Sequence, residues 1–202
     1  MKKNLILVVL LSWTSHAYCQ NEKLQSSFKS SYEREDSGDF LKAMETLKVV
    51  YDEKSYEINL RLGWVSYENK LYSESIKYYE KAIGLMPYSI EAKLGLVYPA
   101  SLLGNWDQVV AQYKKILEID PQNTVANYRM GLIEYNRKNY ASAFKFFEKV
   151  VNLYPFGYDA LIMFAWSNFQ MGKTREAKVL FNKVLLLSPS DASALEGLSL
   201  IK

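Results

Sequence analysis

Apolar residues recur along this chain in short stripes at helical spacing: Leu60, Trp64 and Tyr67; Leu94 and Tyr98; Tyr128, Leu132 and Tyr135; Ile162, Trp166 and Phe169. Positions three and four apart share one face of a helix, so each stripe predicts a helix with one apolar side. Between the stripes lies a second pattern, a compact residue followed four positions later by an aromatic: Ser75 and Tyr79, Val109 and Tyr113, Ala143 and Phe147, Ala177 and Phe181. A proline stands eight residues after each aromatic, at Pro87, Pro121, Pro155 and Pro189, so the whole arrangement repeats every 34 residues. Further columns keep the register, among them Tyr72, Trp106, Tyr140 and Thr174, and Leu62, Leu96, Met130 and Phe164. A fixed period of this length predicts a stack of repeated supersecondary units.

The residue types suit two antiparallel helices per unit. A small side chain such as Ala143 or Ala177 lets the second helix approach the first, and the aromatic one turn later fills the gap to the neighbouring pair. Proline then closes the second helix, because it lacks an N–H and disfavours helical geometry in the residue before it. The stretches DPQN (Asp120 to Asn123) and SPSD (Ser188 to Asp191) supply turn and cap residues for the next start. One unit cannot bury its own apolar face, so the stack shares a continuous core.

With Gly131, Ala143, Phe147 and Pro155 in one unit, the chain resembles the tetratricopeptide repeat family. The resemblance implies an all-α fold, a right-handed superhelical solenoid of antiparallel helix pairs. Its register divides the chain into a degenerate first repeat (20–55, with Phe40, Ala43 and Leu47 in its second helix), four full repeats (56–89, 90–123, 124–157 and 158–191) and a C-terminal capping helix (192–202). The letters GKT at Gly172 to Thr174 are then a turn. A phosphate-binding loop needs a glycine five residues before Gly172, where this chain has Ser167, and a preceding strand. Thr174 is expected as N-cap of the following helix, with Glu176 in its first turn. Pro99 inside a first helix is expected to kink residues 95–99, with Gly95 leaving room to bend.

Residues 1–19 read as a secretory signal: Lys2 and Lys3, the apolar run Leu5 to Leu11, then small Ala17 and Cys19 flanking Tyr18. The run is far shorter than the ~20 residues of a membrane span. His16 and Tyr18 stand where a lipoprotein site normally has Leu and a small residue, so simple cleavage is favoured over lipidation of Cys19. An exported protein, periplasmic or secreted, is the expectation. Cleavage removes the single Cys and the single His of the chain. What remains lacks the ligands of an ordinary zinc site, a Cys nucleophile and a Ser-His-Asp arrangement, so neither metal, cofactor nor enzymatic activity is expected. The formal charge of +3 includes Lys2 and Lys3, and the other charges are interspersed. No basic patch points to nucleic acid.

The resemblance places ligands against the first helices, on the face carrying Leu60, Trp64, Tyr67, Leu94, Tyr98, Tyr128, Tyr135, Ile162, Trp166 and Phe169. About half of such residues are expected to pack between helices. The others suit anchors, since Tyr and Trp bury much area at little entropy cost. One subset of the family grips a chaperone C-terminal carboxylate with Lys and Asn here; the matching places hold Leu60, Trp64, Leu94 and Tyr98, so that clamp is absent. Arg61 and Arg129 flank the face as candidate partners for an acidic group. The expected function is a non-catalytic adaptor for a polypeptide segment, partner unidentified; the alternatives are a glycan-binding module or a scaffold subunit of an envelope assembly. The closing segment, rich in Leu195, Leu198, Leu200 and Ile201, is expected to keep an apolar outer face for self-association or partner docking.

The exported protein is expected to begin at Gln20 without lipid. Intact-mass spectrometry of protein from its native host checks this, and a diacyl group on Cys19 would overturn it.

Overall fold

The computed structural model describes residues 21–201, so the expected signal segment with Cys19 and the terminal Lys202 lie outside the described residues. Eleven helices and no strand occur among the described residues: α1 (21–36), α2 (Phe40–Lys48), α3 (Tyr56–Glu68), α4 (Tyr72–Leu85), α5 (Ile90–Leu102), α6 (Trp106–Ile119), α7 (Thr124–Asn136), α8 (Tyr140–Leu153), α9 (Tyr158–Gln170), α10 (Thr174–Leu187) and α11 (Ala192–Leu200). They form two compact units, one running to Val109 and one from Val110. Within each, helices adjacent in sequence pack together: α2 to α5 successively in the first, α7 to α11 in the second.

Local chemistry sets the helix ends. Second helices α4, α6, α8 and α10 each stop two residues before the repeated proline. First helices α3, α5, α7 and α11 begin at capping side chains, where Ser55, Ser89, Asn123 and Asp191 accept from the N–H groups of Ile58, Ala92, Ala126 and Ala194, satisfying otherwise orphan donors; α9 begins at Gly157 without a side-chain cap. One position further in, a buried polar residue reaches back to the preceding turn. Asn59 Nδ2 donates to the carbonyls of Glu53 (3.1 Å) and Ser55 (2.7 Å), and Asn127 Nδ2 to those of Pro121 (3.0 Å) and Asn123 (2.9 Å). Lys93 Nζ does the same for Pro87 and Ser89. These bonds tie each incoming turn to its helix.

Turns inside the repeats need one left-handed residue, at Gly38, Lys70, Gly104, Lys138 and Gly172. Gly172, at φ +76°, therefore serves the α9–α10 turn, as its register predicts. The cap is Lys173 rather than Thr174; Thr174 is the first helical residue and makes no capping bond, while Glu176 does lie in the first turn. The helix starts one residue earlier than expected because the turn closes at the left-handed Gly172.

The cores are built from rings lying on bare helix backbone. In the first unit Tyr79 covers both Gly63 and Gly95, where a Cβ would come within 2.9 and 2.3 Å of the ring. Ser75, in the small-residue column, donates its hydroxyl to the Gly63 carbonyl at 2.7 Å. In the second unit Phe147 lies on Gly131 and Phe181 on Gly197. α5 is continuous from Ile90 to Leu102 with Pro99 inside it, and Gly95 lies against the Tyr79 ring. Ala43 and Leu47 of α2 are fully buried. α11 packs on α9 and α10 through Ala194, Leu198 and Ile201, leaving Leu195 and Leu200 about half exposed.

Gly197→Ala is expected to destabilise the protein by about 1–3 kcal/mol, because the methyl group must displace Phe181. Gly84→Ala in α4, with nothing within 4 Å of its added Cβ, is expected to stabilise by about 0.5–1 kcal/mol through helix propensity alone. Phe147→Ala is expected to cost about 3–5 kcal/mol. Denaturant unfolding of the three variants checks the ranking.

Candidate ligand-binding groove

The first unit holds a cavity of ≈ 760 Å³ between α1, α3 and α5. Leu60 and Trp64 of α3 and Leu94 and Tyr98 of α5 line it, so the structure brings together four residues of the predicted face. Spacing explains this: Leu60 and Trp64, like Leu94 and Tyr98, are one turn apart on one side of a helix. Tyr79 and Gly95 are among the other lining residues; Tyr56, Glu57, Ile90 and Glu91 come from the first turns of α3 and α5. Tyr67 braces the wall from behind, its ring centroid 5.7 Å from Trp64, 5.8 Å from Tyr98 and 6.0 Å from Tyr72. Burial pushes its phenol above the ordinary range, with Glu68 adding to the effect. Tyr98 stays 49% exposed and is the most accessible of these anchors.

α1 supplies what the repeat register does not show. Phe28 and Tyr32 line the cavity, and the Glu35 carboxylate accepts from Trp64 Nε1 at 2.6 Å while pairing with the Arg61 guanidinium. Arg61 also lies 3.9 Å from the Tyr32 ring centroid and is only 7% exposed. This corrects its expected role as a free flanking charge: its charge is met inside the molecule, because a buried guanidinium requires a partner. Phe28, Tyr32 and Glu35 fall at helical spacing, so the stripe was present in the sequence but lay outside the 34-residue period.

Near the mouth, the Tyr56 hydroxyl is 2.8 Å from Ser89 Oγ and donates to Glu91 at 3.4 Å. Burial raises this phenol's pKa, the Ser89 bond lowers it and Glu91 raises it again. Glu57 and Glu91 are exposed, and neither joins an ion pair among the described residues.

The predicted face is divided in the second unit. Tyr135, Ile162 and Trp166 line a cavity of ≈ 410 Å³, whereas Tyr128 and Arg129 border a separate recess of ≈ 390 Å³ with Asp159. Ile162 is 7% exposed and belongs to the core. Trp166 packs edge-on against Phe181 at 5.0 Å and Phe169 at 5.6 Å, and its Nε1 donates to Ser193 Oγ at 2.8 Å. Phe169 rests on the same core. These three residues join α9 to α10 and α11, the packing role expected of part of the face. Tyr135 meets Tyr140 edge-on at 5.2 Å, and burial raises its pKa. Arg129 is exposed, 5.9 Å from the Tyr128 ring. Among the described residues no cluster of His, Cys, Asp and Glu is arranged to hold a metal, and no helix is long and apolar enough to cross a membrane.

Two family models, both described as tetratricopeptide repeat, match this chain at residues 56–88 and at 125–156 and 159–191. These segments are tetratricopeptide repeats. The human protein SGT1 homolog is 40% identical over 67 residues, 33% of this chain and 18% of that protein, so the chain spans less than a fifth of that relative. A tetratricopeptide repeat protein from Parabacteroides merdae superposes with a TM-score of 0.75 at 22% identity, over 88% of this chain and 72% of that one. YrrB, described as a TPR protein with an unusual peptide-binding site, superposes with a TM-score of 0.71 at 16% identity, over 92% of this chain and 97% of its own. At these identities the structures establish the fold.

The half-buried tyrosines make stability sensitive to alkali. Burial, then Glu74, pushes Tyr78 up to about 12, and Tyr56, Tyr67, Tyr128 and Tyr135 are also raised. A raised phenol pKa favours the folded state while the phenol is neutral. That contribution is complete below the unfolded value near ~10 and is lost as pH rises through the folded values. Melting temperature is expected to fall as pH climbs above about 10, with tyrosinate absorbance lagging that of the unfolded chain.

Proposed function

We propose that this chain, built on tetratricopeptide repeats, is a non-catalytic adaptor that holds a polypeptide segment in the aromatic groove of its first unit and works outside the cytoplasm. The observation that carries the reading is the cavity between α1, α3 and α5, with Trp64 braced by Glu35 and Tyr98 half exposed at its mouth. Its size is in the range of natural ligand sites, and its walls are mostly apolar with few polar groups, as such sites require. Tetratricopeptide repeat folds generally mediate contacts between proteins, and YrrB's description as having a peptide-binding site is in keeping with this use. A sugar site would need several convergent polar side chains. Arg61 is already engaged by Glu35, which leaves mainly the two rim carboxylates. The location outside the cytoplasm rests on the composition of residues 1–19.

Capture from an envelope extract by the mature protein, run beside Tyr98→Ser and Trp64→Ala, tests the reading. Each variant is expected to weaken binding of the captured partner by about 2 kcal/mol. Tyr98→Ser is expected to leave the melting temperature nearly unchanged, whereas Trp64→Ala also lowers it, since Trp64 packs on the α2–α3 core. Undiminished capture by Tyr98→Ser would remove the groove from the binding surface. Recovery of the protein in the cytoplasmic fraction of its host would overturn the location.

A further inference from the structure

Two carboxylates that join no ion pair among the described residues, Glu57 and Glu91, line the groove of the first unit. Glu57 and Glu91 stand 34 residues apart, each in the first turn of a helix that lines the cavity, and both are exposed. Arg61 is the basic residue of the lining, and its guanidinium is buried against Glu35 and the Tyr32 ring, so it does not offset the rim. A carboxylate in a first turn favours the helix dipole, which accounts for an acid at each place. That local benefit leaves the outward field of both groups in place. Tyr56, between them, offers a further acceptor and a ring face, and Trp64 and Tyr98 offer more ring faces. Aromatic faces beside carboxylates attract a cation by quadrupole and by charge together.

We infer that the occupant of this groove is a basic-apolar polypeptide segment: one bulky apolar side chain fills the cavity over Leu60 and Leu94, and a neighbouring Lys or Arg reaches the Glu57–Glu91 rim. This rests on the adaptor reading and specifies its partner's chemistry. Charge complementarity of this kind selects among partners and speeds encounter more than it adds affinity. The apolar anchor therefore supplies most of the binding and the rim decides which segment is accepted.

Four fluorescent synthetic peptides of one length test it, differing at two positions: Leu with Lys, Leu with Gln, Leu with Glu, and Ser with Lys. Anisotropy titrations are run on the wild type, on the Glu57→Gln/Glu91→Gln double variant and on Tyr98→Ser, with thermal melts confirming that each is folded. The Leu–Lys peptide is expected to bind wild type roughly five- to tenfold more tightly than Leu–Gln, and the double variant is expected to lose that preference. Added salt is expected to shrink the preference in wild type alone. Equal affinity for Leu–Lys and Leu–Gln, tighter binding of Leu–Glu, or a preference that survives in the double variant overturns the charge rule while leaving the groove in place. Failure of all four peptides to bind, or binding unaffected by Tyr98→Ser, overturns the adaptor reading with it.

Discussion

Everything else in this molecule depends on rings that lie directly on helix backbone. Tyr79 can sit between α3 and α5 only because Gly63 and Gly95, sixteen residues to either side of it, have no Cβ. Phe181 lies in the same way on Gly197, with Ala165 at the other offset, and Phe147 lies on Gly131, with Met163 at the other. A ring pressed on a Cα brings helices closer than two interdigitating side chains could, and the gain is dispersion over a large flat contact. The same constraint fixes rotation. Helices α3, α5, α7 and α11 must each turn a glycine toward a ring, which settles which of their other faces remain free.

Those free faces make the groove. With Gly95 held against Tyr79, Leu94 and Tyr98 point into the cavity, and the corresponding turn of α3 presents Leu60 and Trp64 beside them. Second-helix residues Tyr79, Phe147 and Phe181 are almost fully buried, so most of the groove wall comes from α3 and α5, with Phe28 and Tyr32 of α1. The proposed binding surface is thus a by-product of how the core is closed, since the residues not taken up by the core are the ones left accessible.

The period of 34 residues made most of this legible before any coordinates. Helix ends at the prolines, caps at Asn123 and Asp191 and the Gly172 turn all follow from residue type and register. Legibility failed where a partner came from outside the period. Arg61 looked like a free surface charge because nothing in its own repeat pairs with it, yet Glu35 from the irregular α1 does. Ile162 and Trp166 looked like counterparts of Leu94 and Tyr98, but in the second unit their faces are taken up by the core and by α11. Gly95 has a close contact that its own helix does not reveal, with a ring sixteen residues earlier. Local rules read well; contacts set by flanking helices do not announce themselves in a single column.

One column shows how the flanking helices select the site. Trp64, Tyr98, Leu132 and Trp166 occupy the same position in successive repeats. The tryptophans stand at its two ends, and each has its indole N–H bound by a terminal helix: Trp64 by Glu35 of α1 and Trp166 by Ser193 of α11. An indole half buried against a core needs an acceptor, so the end positions are committed to holding the outermost helices in place. Leu132 is half buried and brings no polar group. Tyr98 alone in the column is both aromatic and exposed, and its ring is already fixed by Tyr67 without being covered. A rigid, uncovered aromatic loses little freedom when a partner lands on it, so in the adaptor proposed above Tyr98, rather than either tryptophan, is the anchor offered to a bound segment.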